Sequence, residues 1–318
     1  MTQRRLAILI WSFVAIMMFS LAKAHADRLD QWQWITPLPQ GNTLKSVAYG
    51  SNVFVAVGLK GAVITSPDGY DWEPRQITNT VDLNAIAYAA NMFVAVGQSG
   101  TILTSADGVH WVLETSGTIH DLQGVAYGNN RFVAVGSDGA LLTSLNGQDW
   151  TVQVSGSESD LDCIAFGNGI FVVGGVDTLT SADGIAWVVK ERPDNYSYYS
   201  LSSIIYQNDV FIAAGHFVCG AGWCSVEPGT TILTSSDGIA WTKKTFISGG
   251  SVSELVHGTD KFVAVGSIGS GGQGAAFTSS DGNTWAENLC SSCGFGNLLE
   301  GIVYANNTYY YDSLKYLH

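Results

Sequence analysis

Five aspartates share one recurring setting, and their carboxylates are the first groups in this chain whose type suits acid–base, nucleophilic or metal chemistry. They are Asp68, Asp107, Asp183, Asp237 and Asp281, set in SPDGYDW, SADGVHW, SADGIAW, SSDGIAW and SSDGNTW. A catalytic centre normally occurs once in a fold, whereas a turn needed in every structural repeat recurs. Recurrence therefore assigns these carboxylates to turns. Asn146 takes the same place in SLNGQDW, which keeps an acceptor oxygen and drops the charge; turn hydrogen bonding tolerates that exchange. Trp72, Trp111, Trp150, Trp187, Trp241 and Trp285 close the six segments and read as packing anchors.

The cysteines offer thiol chemistry. In an oxidising compartment, the close spacings favour Cys219–Cys224 and Cys290–Cys293 as local disulfides. Cys163 then stands alone at a position held elsewhere by Ser46, Ala85, Gly124 and Ser203, as expected of a buried thiol acting as a small apolar residue. The CSSC segment has redox spacing but falls on a loop instead of opening a helix. His216 with Cys219 and Cys224 lacks a fourth zinc ligand. No HExxH, GxSxG or phosphate-cradling glycine loop is present. The expectation is a protein without metal, cofactor or catalytic residues.

The elements that position these residues come from a repeat. Leu122 to Trp150 reads LQGVAYGNNRFVAVGSDGALLTSLNGQDW. Gly124 to Tyr127 is a brief apolar strand, and Gly128-Asn129-Asn130 suits a tight turn because these residues tolerate positive φ. Phe132 to Val135 is an unbroken apolar run, which predicts a strand buried on both faces. Ala140 to Ser144 returns, Asn146-Gly147 turns the chain, and a last strand begins at Trp150. Four antiparallel strands in about 40 residues predict the blade of a β-propeller.

Six copies keep two spacings constant. Thr65, Thr104, Thr143, Thr180, Thr234 and Thr278 stand seven residues before the six Trp residues, and a Leu or Val stands ten residues before Phe54, Phe93, Phe132, Phe171, Phe211 and Phe262. The Phe-to-Thr interval is 11 in three copies, then 9, 23 and 16; the Trp-to-next-Leu interval is 11 or 14. With strands lettered a to d from the axis outwards, the constant intervals hold the a–b and c–d turns. The variable intervals hold the b–c and d–a loops, which emerge on one face of an up-and-down propeller. Length change confined to one face marks a candidate binding face.

The ends predict ring closure. A further unit starts as LEGIVYANNTYYYDSLKYLH and stops, while QWQWITP places Trp34 38 residues before Trp72. The expectation is that Gln31 to Pro37 supplies an outer strand to C-terminal inner strands, giving seven blades, with six as the alternative if Leu299 to His318 forms no blade.

The SxDGxxW segments resemble the Asp-box of sialidase-type, BNR-like repeats. The whole pattern, Gln31 to Leu317, resembles the bacterial seven-bladed propellers grouped with photosystem II assembly factors. That resemblance implies a propeller serving in binding or assembly. A sialidase centre would need an arginine triad; beyond residue 26 the chain has only Arg28, Arg75, Arg131 and Arg192, at non-equivalent places.

The first 26 residues have the order of a secretory signal peptide: Arg4 and Arg5, an apolar run from Leu6 to Leu21, and small residues at Ala24 and Ala26. Residues 27–318 are then expected to form a single propeller domain in the periplasm or on the cell surface, without stable membrane insertion. Cleavage removes Arg4, Arg5 and Lys23 and no acid, moving the net charge from −13 to −16. Such a surface disfavours nucleic acid.

The candidate site lies on the variable face. Tyr196, Tyr198 and Tyr199 precede the fifth repeat, and His216, Phe217 and Trp223 sit in its insertion. Glu254 puts a carboxylate at an inner-strand position where other repeats have small residues, and is expected to line the central channel. Aromatic side chains on a polar rim suit a protein or glycan partner in the cell envelope. The reading is a non-catalytic protein-binding or assembly scaffold; the alternative is a carbohydrate-binding or glycoside-active propeller using the same face.

Overall fold

The computed structural model describes residues 42–77, 81–190, 199–217, 229–248, 250–268, 273–289, 301–305 and 308–311. Six antiparallel sheets of four strands follow one another along the chain. In the third, the strands are Leu122–Gly128, Arg131–Gly136, Leu141–Ser144 and Thr151–Val152, in sheet order. The first strand of each sheet touches the first strand of the next, so the innermost strands enclose an axis.

The expected seven blades are corrected to six among the described residues. After the sixth sheet comes a two-stranded hairpin, Ile302–Ala305 with Thr308–Tyr311, whose first strand lies between the innermost strands of the sixth and first blades. The unit that begins there has no SxDGxxW turn to direct a third and fourth strand. Gln31 to Pro37 and Trp34, expected to complete it, lie outside the described residues. The architecture is six four-stranded blades with the hairpin between the last and the first.

The core follows from the repeated residues. Phe54, Phe93, Phe132, Phe171 and Phe211 are fully buried, and Phe262 nearly so. The second-strand runs VAV, VAV, VAV and IAA that follow Phe54, Phe93, Phe132 and Phe211 are buried too, because neighbouring blades cover both faces of each sheet. Five residues before each Phe stands another ring: Tyr49, Tyr88, Tyr127, Phe166, Tyr206 and His257. These lie 4.3 to 4.7 Å from the Phe centroids in tilted geometry. The closing Trp rings lie 6.2 to 6.5 Å away on the other side in blades 1, 2, 4 and 5. Each blade is thus built on a column of aromatic side chains.

The turn between the second and third strands is equally regular. Lys60, Ser99 and Asp138 adopt left-handed φ of 56°, 53° and 54°. Gly139 follows at φ +70°, and a Cβ there would stand 1.9 Å from the Ser157 carbonyl oxygen. Both reasons restrict the position to glycine.

Candidate functional site

The recurring carboxylates are consumed locally. Ser66 Oγ accepts the Gly69 N–H at 2.8 Å and donates to Asp68 Oδ1 at 3.0 Å, while that oxygen also accepts the N–H groups of Tyr70 and Asp71. The indole of Trp72 donates to the Gly69 carbonyl. The same bonds to N–H groups two and three residues on hold Asp107, Asp183, Asp237 and Asp281. Asn146 makes them through its amide oxygen. In blade 5, the Trp241 Nε1 is buried without a partner among the described residues.

Backbone N–H donors stabilise the ionised form. The His110 N–H chiefly, with its ring next, holds Asp107 far below the usual carboxylate range. The N–H of Asp71 leads for Asp68, that of Ile185 for Asp183, Ala240 for Asp237 and Thr284 for Asp281, each lowering the carboxyl. An anion held this way is a poor proton donor at neutral pH.

A second family of acids escaped the sequence reading. Asp82, Asp121 and Asp160 stand just before Leu83, Leu122 and Leu161 and accept the N–H of Lys60, Ser99 and Asp138 at 2.8, 2.7 and 3.0 Å. Each satisfies the left-handed turn of one blade from the strand entering the next. The recurring Asp-Leu pair was the available signal. These bonds also join the b–c turns to the d–a loops, which puts both on one face as the spacing argument required.

On that face, blade 5 extends furthest. Its strands Tyr199–Gln207 and Val210–Phe217 have 9 and 8 residues, against 7 and 6 in blade 3. Tyr199 is the register partner of Phe217, and Ser200 that of His216, which in turn pairs with Thr230. The backbone thus brings Tyr199, His216 and Phe217 to the end of one raised hairpin. Tyr196, Tyr198 and Trp223 lie outside the described residues, as do Cys219, Cys224, Cys290 and Cys293 of the expected disulfides.

Glu254 sits on the innermost strand of blade 6, where its Oε2 accepts the Ile302 N–H at 2.7 Å. Cys163 is buried with its Sγ 3.4 Å from the Leu201 carbonyl oxygen, and burial pushes the thiol far above its ordinary range. A thiol so placed is a packing group. Among the described residues, no three His, Cys, Asp or Glu side chains group as metal ligands. No helix there is long and apolar enough to cross a membrane.

Residues 40–248 match the family described as the DUF6242 beta propeller domain. No curated protein matches the sequence. Among solved structures, YCF48 from Cyanidioschyzon merolae is similar at 17% identity and a TM-score of 0.64, over 87% of this chain and 94% of that one. YCF48 bound to D1 peptide is similar at 17% identity and a TM-score of 0.60, over 84% and 87%. The Pan2 WD40 domain of Neurospora crassa reaches a TM-score of 0.57 at 9% identity, over 84% of each chain. At these identities the likeness is one of fold.

Proposed function

The chain belongs to the DUF6242 beta propeller domain family, and from that membership we propose that it is a non-catalytic scaffold that binds a protein partner through its loop face. One observation carries the reading: length variation among otherwise near-identical blades is confined to the loops of that face. The opposite face repeats one turn whose carboxylates are occupied by their own backbone. Similarity of fold to YCF48, a structure of which holds a peptide, supports a protein as partner.

In this proposal the binding surface spans blades 4 to 6 and the terminal hairpin, with Tyr196, Tyr198, Tyr199, His216, Phe217 and Trp223 as contacts. Residues 1–26 act as a secretory signal, the SxDGxxW turns are Asp-box-like, and the paired cysteines staple the loops in an oxidising envelope. A glycan remains the alternative ligand for the same aromatic side chains.

The test is a pull-down from the native envelope with the secreted form, beside a variant carrying Tyr196→Ser, Tyr199→Ser, Phe217→Ser and Trp223→Ser. Recovery of one protein by the wild type alone supports the proposal. Equal recovery by both forms removes the site from this surface, and binding to a glycan array without protein recovery replaces the partner class.

A further inference from the structure

The chain contains two Asn-Gly dipeptides, Asn146-Gly147 and Asn168-Gly169. In this pair the backbone nitrogen after the asparagine can attack the side-chain amide most readily, because glycine brings no side chain to hinder the approach and restricts the backbone least. The two are alike in sequence and unlike in fold.

Asn146 lies in the SLNGQDW turn of blade 3. Its Oδ1 accepts the Ser144 hydroxyl at 3.1 Å and the N–H groups of Gln148 and Asp149 at 3.0 and 2.9 Å, while its Nδ2 donates to Asp149 Oδ2 at 2.8 Å. The Gly147 N–H, on the nitrogen that would attack, donates to Ser144 Oγ at 2.9 Å, and Gly147 is buried. Five hydrogen bonds thus oppose any approach of the two groups.

Asn168-Gly169 is the two-residue loop between strands Leu161–Gly167 and Ile170–Gly175 of blade 4, with φ of 46° and 77°. Both residues are exposed. The Gly169 N–H has no acceptor among the described residues, and a Cβ at Gly169 would meet nothing within 4 Å. One side-chain bond holds the asparagine, from Nδ2 to the Ser236 carbonyl at 3.3 Å. It engages the nitrogen that leaves and not the carbon that is attacked.

We propose that Asn168 is a site of spontaneous deamidation in the folded protein, and that the turn of blade 3 shields Asn146 from the same reaction. Hydroxide takes the Gly169 amide proton, the nitrogen bonds to Asn168 Cγ, and the bond from Cγ to Nδ2 breaks. Ammonia leaves with a proton from water. A second water opens the cyclic imide at either carbonyl, giving aspartate or isoaspartate.

The product weakens one joint of the ring. Ser236 belongs to the SSDGIAW turn of blade 5, so the Asn168 bond ties blade 4 to blade 5. Asn129 makes the same tie to the Ala182 carbonyl, and the Ser51 hydroxyl to that of Ala106. Neither of these is followed by glycine. A carboxylate at position 168 has no proton to donate, and isoaspartate adds a methylene to the backbone of a two-residue loop. The site lies on the face opposite the scaffold surface and is independent of it.

Peptide mapping by mass spectrometry tests this on wild-type protein kept folded in mildly alkaline buffer. Residue 168 should gain one mass unit at least tenfold faster than residue 146, with isoaspartate detected by enzymatic carboxyl methylation. In denaturant the two sites should react at similar rates. Equal rates in the folded protein, or an Asn168 rate at least tenfold lower folded than unfolded, overturns the proposal. A tenfold preference that persists in denaturant overturns its structural cause. Asn168→Ser, which keeps a donor as Ser51 does, should hold its melting temperature on storage while that of the wild type falls. A wild-type melting temperature unchanged after full modification at position 168 overturns the weakened joint.

Discussion

Ile302 donates its backbone N–H to Glu254 Oε2 at 2.7 Å, a bond that spans from the sixth blade to the terminal hairpin. Equivalent bonds occur at two other junctions with shorter side chains: Ile86 N–H to Ser46 Oγ at 3.3 Å, and Leu255 N–H to Ser203 Oγ at 3.1 Å. The carboxylate replaces a hydroxyl where the chain joins a hairpin instead of a complete blade. The oddity of an acid among small residues thereby has a structural account at the ring's closure.

Glu254→Ala should therefore loosen the closure. Ile302 is buried, so an N–H left without its acceptor costs about 1–3 kcal/mol. Glu254→Gln keeps an acceptor oxygen and should lose less. Hydrogen exchange at the Ile302 amide checks this; unchanged protection in the alanine variant would remove the bond's role.

The aromatic columns predict an order of stabilities. Phe93→Ala empties a fully buried site and should cost about 3–5 kcal/mol. Trp111 is only partly buried, with its ring 6.4 Å from Phe93, so Trp111→Ala should cost less, about 1–3 kcal/mol. Denaturant unfolding of the two variants decides the order.

The turn carboxylates predict an acid limb. Their folded pKa values lie below 3.8, so the stability they contribute is present above that value and is lost as pH falls through the depressed ones. Changing Asp68, Asp183, Asp237 and Asp281 to Asn, as the chain already has at position 146, should flatten the melting temperature against pH below about 4. An unchanged slope would place the acid sensitivity elsewhere.

His257 predicts a second, milder pH dependence. It holds the inner-strand ring position of blade 6, 4.3 Å from Phe262. Burial lowers its pKa below 6.5, with the Asp260 charge opposing. A depressed folded value means that stability is present above 6.5 and falls as the pH drops below it. His257→Tyr, the residue of four other blades, should remove that loss, read as melting temperature between about pH 5 and 7.

Much of each blade was legible because its determinants lie close together in the chain. The Phe, Thr and Trp columns and the Asn-Gly and Asp-Gly turns set strands and turns whose hydrogen bonds run two or three residues, as from Ser66 to Gly69. The confinement of length change to one face followed from strand alternation. The rings five residues before each Phe and the Asp-Leu pairs were equally regular, but their meaning lies in packing and in bonds between blades.

By itself, then, the sequence determined a propeller of six full repeats, the strands of each blade and the local use of the SxDGxxW carboxylates. Only the tertiary structure decided that, among the described residues, the last unit is a two-stranded hairpin and not a seventh blade, and that Glu254 ties it in place. Turns are settled by neighbours within a few residues. Closure depends on groups 48 residues apart, as Glu254 and Ile302 are, and periodicity along a chain carries no information about which distant ends meet.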